Sequence, residues 1–104
     1  MDFLIKDGNG KGKEYYFDGD LKFEGEYTDG KRIGIGKDYY DGKLEFKGEY
    51  LNGLRNGKGK EYYDNGALKF EGEYLNDLRN GKGKEYNYYD EIIFEGDYIK
   101  GEKW

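Results

Sequence analysis

Acidic side chains are the most numerous residues in this sequence that could do chemistry, since aspartate and glutamate together number 23. Two carboxylates can act as general acid and general base when one pocket separates their pKa values. These carboxylates recur instead at regular intervals; one set is Glu26, Glu49, Glu73 and Asp97, and lysines recur likewise at Lys13, Lys37, Lys60 and Lys84. Periodic charges are typical of a solvated face whose cross-strand pairs each contribute only a fraction of a kcal/mol. We therefore expect no catalytic residues and a protein that is not an enzyme.

The stretch GNGKGK at residues 8–13 has the glycines of a phosphate-binding loop. A P-loop, however, requires G-x-x-x-x-G-K followed by serine or threonine, between a strand and a helix. The hydroxyl residue is missing, and similar glycines recur three more times, which favours a structural role. The chain also has no histidine and no cysteine, and no acidic run has EF-hand spacing. We expect neither a cofactor nor a metal site.

Net charge and hydropathy exclude further classes of protein. A net charge of −5 argues against nucleic acid as a partner, because a basic surface normally supplies most of that affinity. No apolar run approaches the roughly 20 residues that a transmembrane helix needs. The first residues, MDFLIKDGNG, have no apolar core of the signal-peptide kind. We expect a cytoplasmic protein, with association at a membrane surface as an alternative.

The dominant feature of the sequence is an internal repeat of 23 or 24 residues. The pair G-x-G recurs at residues 10/12, 34/36, 57/59 and 81/83, and the pair F-x-G recurs at 23/25, 46/48, 70/72 and 94/96. We interpret residues 1–104 as one array, with repeats at about 10–33, 34–56, 57–80 and 81–104 and a half repeat at 1–9. Phe3 takes the position that Tyr27 takes one cycle later, and Trp104 stands just before the next glycine pair. We expect association through an end of the array, or a longer natural protein.

Each cycle has the pattern of a β-hairpin. GKGKEYY is one strand, DNG is a turn signal, and ALKFEGEYL is a return strand with a period of two, after which NGLRN leads into the next cycle. No room remains for a helix. The sequence predicts an all-β fold: an elongated antiparallel β-hairpin array, a single-sheet meander of eight to nine strands about 40 Å long.

Alternation along the strands places the glycines and the aromatic rings on one face, where a glycine leaves room for a ring to lie over the backbone. The rings predicted there are Tyr16, Phe23, Tyr27, Tyr40, Phe46, Tyr50, Tyr63, Phe70, Tyr74, Phe94 and Tyr98. They are either the core of the protein, an interaction groove, or both, because tyrosine suits interfaces as well as cores. A second candidate surface consists of the basic turn residues Lys31, Arg32, Arg55, Arg79 and Lys103.

The spacing aromatic-x-G-x-aromatic-x-x-G-x-x-x-G-x-G resembles the MORN repeat (membrane occupation and recognition nexus). Residues 23–36 and 46–59 match at every marked position, and residues 70–83 match except at Asp77. Tyrosine at the second aromatic position, where tryptophan is usual, resembles the tyrosine-rich bacterial variant. The resemblance implies an elongated array of hairpins with an aromatic groove. It also implies non-catalytic roles in scaffolding, self-association and phospholipid contact, and for some bacterial members in toxin immunity.

These observations together predict a non-catalytic module for protein–protein interaction, scaffolding or assembly. The expected partner is another protein, or a second copy bound through the array ends, with at most weak phospholipid contact and no nucleic acid. Two alternatives stay open. One is a phospholipid-binding module that uses the basic turn residues, and the other is a toxin-neutralising immunity protein or antitoxin.

Overall fold

The computed structural model describes residues 8–104. They form one open sheet of nine antiparallel strands in which spatial order follows chain order. The strands are β1 Gly10–Tyr15, β2 Leu21–Thr28, β3 Lys31–Tyr40, β4 Lys43–Leu51, β5 Leu54–Tyr62, β6 Leu68–Leu75, β7 Leu78–Tyr86, β8 Ile92–Ile99 and β9 Glu102–Lys103. The predicted single-sheet meander is confirmed. Phe3 and most of the half repeat at 1–9 lie outside the described residues.

The strands are joined by two kinds of connection, which alternate along the chain except that the tight turn Asp41–Gly42 joins β3 and β4. The tight one is a two-residue turn such as Asn52–Gly53, with φ of 52° and 87°, and consecutive positive φ values are typical of the type I′ turns that suit hairpins. The longer one is a loop such as residues 63–67, closed by a 2.8 Å bond from the Tyr63 amide to the Ala67 carbonyl. The sequence pattern treated residues 52–56 as a link between cycles. In the structure only the turn links them, because β5 already begins at Leu54.

Strand register aligns the glycines in a single row, which we call the glycine row. Neighbouring strands pair them in the order Gly12, Gly25, Gly36, Gly48, Gly59, Gly72, Gly83 and Gly96. The pairing register shifts at other positions, such as the β-bulge between Glu61 and Tyr62. The glycine row itself is unbroken from β1 to β8. The residues along the midline of the sheet therefore have no side chains of their own.

On one face, which we call the ring face, phenylalanines lie flat over the glycine row. A Cβ atom added at Gly59 would stand 2.6 Å from the Phe46 ring, and one added at Gly48 would also stand 2.6 Å from it. The prediction that the glycines make room for the rings is confirmed. The buried core consists of Phe23, Tyr27, Phe46, Tyr50, Phe70, Tyr74 and Tyr98. Its rings meet edge to face, with centroids 5.2 Å apart for Phe70 and Tyr98, a geometry that aromatic pairs prefer.

The molecule is one sheet thick and elongated, with principal extents of 43 × 26 × 17 Å. The longest extent agrees with the predicted stacking of strands about 4.8 Å apart. Among residues 8–104, no helix has the length and apolar character needed to cross a membrane. All core packing lies on the ring face, so the opposite face of the sheet is left uncovered by the described chain.

Candidate binding surfaces

Charged side chains cover the rings of the ring face. The Arg79 guanidinium lies 4.0 Å above the centre of the Phe70 ring. Its Nε donates to Glu61 at 2.9 Å and its Nη1 to Glu85 at 2.8 Å. The Tyr74 hydroxyl donates to the same Glu61 carboxylate. Arg79 thus stacks on a ring and bridges two carboxylates at once.

The same arrangement recurs along the sheet. Arg32 lies 3.9 Å from the centre of Phe23 and binds Glu14 at 2.9 Å. Arg55 lies 3.9 Å from the centre of Phe46, and its partner is Asp38 at 3.2 Å. A stacked guanidinium contributes about 0.5–2 kcal/mol, more as it is desolvated. The acidic partners occupy one position of the repeat, which sequence reasoning did not connect to the arginines.

Burial and hydrogen bonding act in opposite directions on these carboxylates. Burial alone would raise the pKa of the Glu61 carboxyl, but hydrogen bonds from Arg79 and Tyr74 outweigh burial and hold that pKa below its ordinary value. For the Tyr74 hydroxyl, burial and its bond to Glu61 both raise the pKa. The network therefore keeps the carboxylates charged and the tyrosines neutral around neutral pH.

Four of the five basic turn residues belong to the layer of charged side chains that lies over the rings. Arg32, Arg55 and Arg79 lie over rings, and Lys103 lies 5.0 Å from the centre of Phe94 and 3.1 Å from Glu85. Lys31 is exposed. Because these cations lie against rings and carboxylates of their own chain, they do not project as a free basic surface.

The predicted aromatic residues separate into two rows. Seven form the buried core and Phe94 packs against it. Tyr16 and Tyr63 lie apart, in the longer loops, and Tyr40 lies at the end of β3. Tyr16 meets Tyr40 edge to face at 5.9 Å, and Tyr63 stacks on Tyr88 at 4.2 Å. Tyr40 is 60% exposed. The aromatic layer is therefore filled and covered, and only the outer row reaches solvent.

The face opposite the rings, which we call the open face, carries a shallow trough along the glycine row. Two depressions of about 610 and 760 Å³ adjoin at Ile35. Charged side chains flank the trough on both sides, and Tyr15 and Tyr62 stand at its margin. The residues next to the row glycines are Lys11, Lys13, Glu24, Glu26, Ile35, Lys37, Lys47, Glu49, Lys58, Lys60, Glu71, Glu73, Lys82, Lys84, Glu95 and Asp97.

Charges on the open face alternate in sign over most of its length. Glu71 lies between Lys60 and Lys84 on neighbouring strands. Lys84 approaches Glu95 at 3.8 Å, an exposed pair that contributes little to stability. The Tyr86 hydroxyl donates to Glu71 at 2.7 Å, and this bond, with burial, raises the pKa of Tyr86 to about 12.

The alternation fails at one place. Lys47 lies opposite Lys37 on one side and Lys60 on the other. Sequence reasoning did not single out Lys47, although the other three repeats carry glutamate at that position. No group of three or more acidic residues within 8–104 is arranged to hold a metal ion.

Fold and surfaces define the class: an antiparallel β-hairpin repeat protein of a single layer, with phenylalanine rings packed on glycines. The family model of the MORN repeat matches residues 8–21, 23–37, 46–68 and 70–87. The chain belongs to the MORN repeat family, whose members are generally non-catalytic repeat modules. Among curated proteins the chain has no match.

Proposed function

We propose that this protein is a non-catalytic module that binds another protein through the open face of its sheet. The observation that carries the proposal is the asymmetry of the two faces. Rings, arginines and carboxylates fill the ring face, whereas the open face presents a continuous trough without a covering layer in residues 8–104. An extended surface of this kind is how repeat proteins usually engage partners.

Chemistry on the open face supports binding and not catalysis. Its carboxylates and lysines repeat from strand to strand, and no pair differs from the others in burial in the way that acid–base catalysis requires. Membership of a generally non-catalytic family agrees with this conclusion. Phospholipid binding through the basic turn residues loses its main support, because four of those five residues are held against the ring face.

Assembly of copies through an array end is a second proposed activity. Strand β9 pairs with β8 only at Tyr98 and Ile99. Residues 92–96 of β8 thus have no strand partner on that side among residues 8–104. Ile92 and Ile93 are 52% and 58% exposed there. An unpaired, apolar edge strand is suited to pairing with another strand.

Affinity capture with a matched pair of variants tests binding through the open face. Lys58→Glu combined with Lys82→Glu changes the trough, and Lys22→Glu combined with Lys69→Glu makes the same charge change beside the outer tyrosines. Thermal melts first establish that both variants fold. We expect a protein partner in fixed stoichiometry with the wild type and the control pair, and loss of it with the trough pair. Equal retention by both pairs, or no stoichiometric protein partner, would contradict the proposal.

A further inference from the structure

The β3–β4 hairpin departs from the other three repeats at two positions of the open face. Between the glycines of the G-x-G pair, the other repeats carry Lys11, Lys58 and Lys82, whereas this hairpin carries Ile35. Between phenylalanine and glycine, the other repeats carry glutamate, whereas this hairpin carries Lys47. Because β3 and β4 are neighbours, both departures fall in one region near the middle of the sheet.

The departure at Lys47 concentrates positive charge. Lys37, Lys47 and Lys60 stand in one row on adjacent strands, and we call them the lysine triad. Residues directly opposite each other in an antiparallel pair have Cβ atoms about 4.5–5.5 Å apart, and like charges there repel. Glu24 and Glu71 pair with the outer members, so neither lies next to Lys47. Lys47 is exposed, and within residues 8–104 it forms no ion pair with a carboxylate, including those of Glu45 and Glu49 on its own strand.

The departure at Ile35 places an apolar side chain across the glycine row from the triad. Ile35 is 54% exposed and lines both depressions of the trough. Glu49 lies opposite it, but that carboxylate accepts a 2.6 Å bond from the Lys58 amide and is turned towards β5. Over β3 and β4 the trough thus has Lys37 and Lys47 on one side and the apolar Ile35 on the other, with bare glycine backbone between them.

We propose that this part of the open face, over β3–β5, binds an extended segment of a partner protein in which acidic and apolar residues alternate. The inference rests on the proposed protein-binding function and specifies the chemistry of the partner. Successive side chains of an extended chain point to opposite sides. A segment lying along the glycine row directs its carboxylates to the lysine triad and its apolar side chains to Ile35.

Charge complementarity favours an acidic occupant even though the protein itself has a net charge of −5. At physiological salt the screening length is about 8 Å, so a ligand in the trough responds chiefly to the charges that line it. A carboxylate placed over Lys47 removes the repulsion within the triad as well as forming its own ion pairs. The glycine floor removes the steric obstacle to close approach of a second backbone.

Fluorescence anisotropy with a defined probe tests the proposal. The probe is a short labelled peptide of alternating glutamate and leucine with Gly-Ser flanks. Two control peptides replace glutamate by lysine or leucine by serine. We expect the probe to bind in a salt-sensitive manner, the lysine peptide not to bind, and the serine peptide to bind more weakly.

Variants that restore the residue of the other repeats separate recognition from folding. Lys47→Glu should weaken binding of the probe by at least about tenfold, since it inserts an acid between two lysines. It should leave the melting temperature unchanged or raise it. Ile35→Lys should remove the preference for leucine over serine. Lys43→Glu, an equal charge change at an exposed site of the same strand outside the trough, should alter affinity by less than about twofold.

Three outcomes would overturn the inference. They are absence of probe binding at low salt, unchanged binding by Lys47→Glu, and equal loss with Lys43→Glu. Binding of anionic vesicles that depends on Lys47, without binding of the probe, would assign the triad to lipid instead. If the probe fails while a stoichiometric protein partner is still lost with the Lys58 and Lys82 variant, this inference fails and the proposed function stands.

Discussion

At the scale of single residues, Arg79 connects three parts of the ring face. It lies over Phe70 and binds Glu61 and Glu85, which in turn accept hydrogen bonds from Tyr74 and Tyr98. Burying an ion pair costs desolvation unless other bonds satisfy its atoms. Here the tyrosine hydroxyls donate further hydrogen bonds to the carboxylates. No buried side-chain polar atom among the described residues lacks a hydrogen-bond partner. The Phe70 ring and the hydrogen-bonded side chains above it therefore stabilise the ring face together.

Replacement of a core ring measures the packing on the glycine row. Phe70→Ala should lower the free energy of unfolding by about 3–5 kcal/mol, because the Phe70 side chain is fully buried. Leu75→Ala is the matched control, since Leu75 lies on the same strand and is 50% exposed. Its cost should be about 1 kcal/mol or less. Urea denaturation gives both values, and equal costs would mean that the ring face is not the core.

Acid should destabilise the protein through the lowered carboxyl pKa values. Hydrogen bonds with arginine, lysine and tyrosine partners outweigh burial and keep the pKa values of Glu14, Glu61 and Glu85 below the ordinary value. The folded state then binds fewer protons than the unfolded state in the interval between the two values. The resulting stability is present above the ordinary glutamate pKa of about 4.3. It is lost as pH falls through the folded pKa.

The urea midpoint measured from neutral pH down to about pH 3 checks this expectation. Glu61→Gln removes one of the three ionising groups and should reduce the dependence of the midpoint on pH. Glu45→Gln, at an exposed site on β4, should leave that dependence as it is in the wild type. Equal pH dependence in the wild type and in Glu61→Gln would show that the network does not govern acid stability.

At the scale of elements, the tight turns bind one repeat to the one before it. The Gly53 amide donates to the Arg32 carbonyl at 2.9 Å, and the Gly101 amide donates to the Arg79 carbonyl at 2.8 Å. Asp77 occupies the equivalent position in its turn, with φ of 72°, and its amide donates to the Arg55 carbonyl at 3.0 Å. The side chain of each of these arginines thus covers a ring, and its backbone carbonyl accepts a hydrogen bond from the turn of the next repeat.

Turn geometry predicts different costs for two substitutions at Gly53. Gly53→Ala should destabilise by about 1–2 kcal/mol, because φ is 87° and the left-handed region is unfavourable for a residue with a Cβ atom. No atom lies within 4 Å of that added Cβ, so backbone conformation alone sets the cost. Gly53→Asn should cost less, since asparagine tolerates this region better. Denaturation midpoints decide, and a larger cost for asparagine would contradict the account.

At the scale of the whole molecule, the array has no second layer among residues 8–104, so its stability comes from contacts between adjacent strands and repeats. Within residues 8–104, its long, uncovered face and the partly paired edge of β8 are two surfaces that could meet a partner. The first carries the trough.

The edge of β8 predicts concentration-dependent self-association. Sedimentation velocity should show an increasing mean mass as the protein concentration rises. Ile93→Lys should suppress this, because a charged side chain on an edge strand opposes pairing with another strand. Lys100→Glu, in the exposed turn that follows β8, is the control and should leave association intact. A single monomeric species at every concentration would rule out assembly through this edge.

The sequence by itself determined the repeat, the hairpins, the single meander and the placement of phenylalanine over glycine. These follow from local rules: alternation with a period of two, turn residues that accept positive φ, and the missing side chain of glycine. Arg79 shows where such rules end. Its position in a turn suggested an exposed cation, but a long side chain reaches whichever ring and carboxylates the neighbouring strands bring to it.

Only the tertiary structure decided which charges become neighbours across strands. Lys37, Lys47 and Lys60 are well separated in the chain and stand in one row because of strand register. A shift of one residue would turn any of them to the other face of the sheet. The departures at Ile35 and Lys47 are visible in the sequence, but their meaning depends on that register. Strand register places Ile35 and Lys47 on either side of the glycine row on the open face. On the ring face, the core phenylalanines pack on the same glycines.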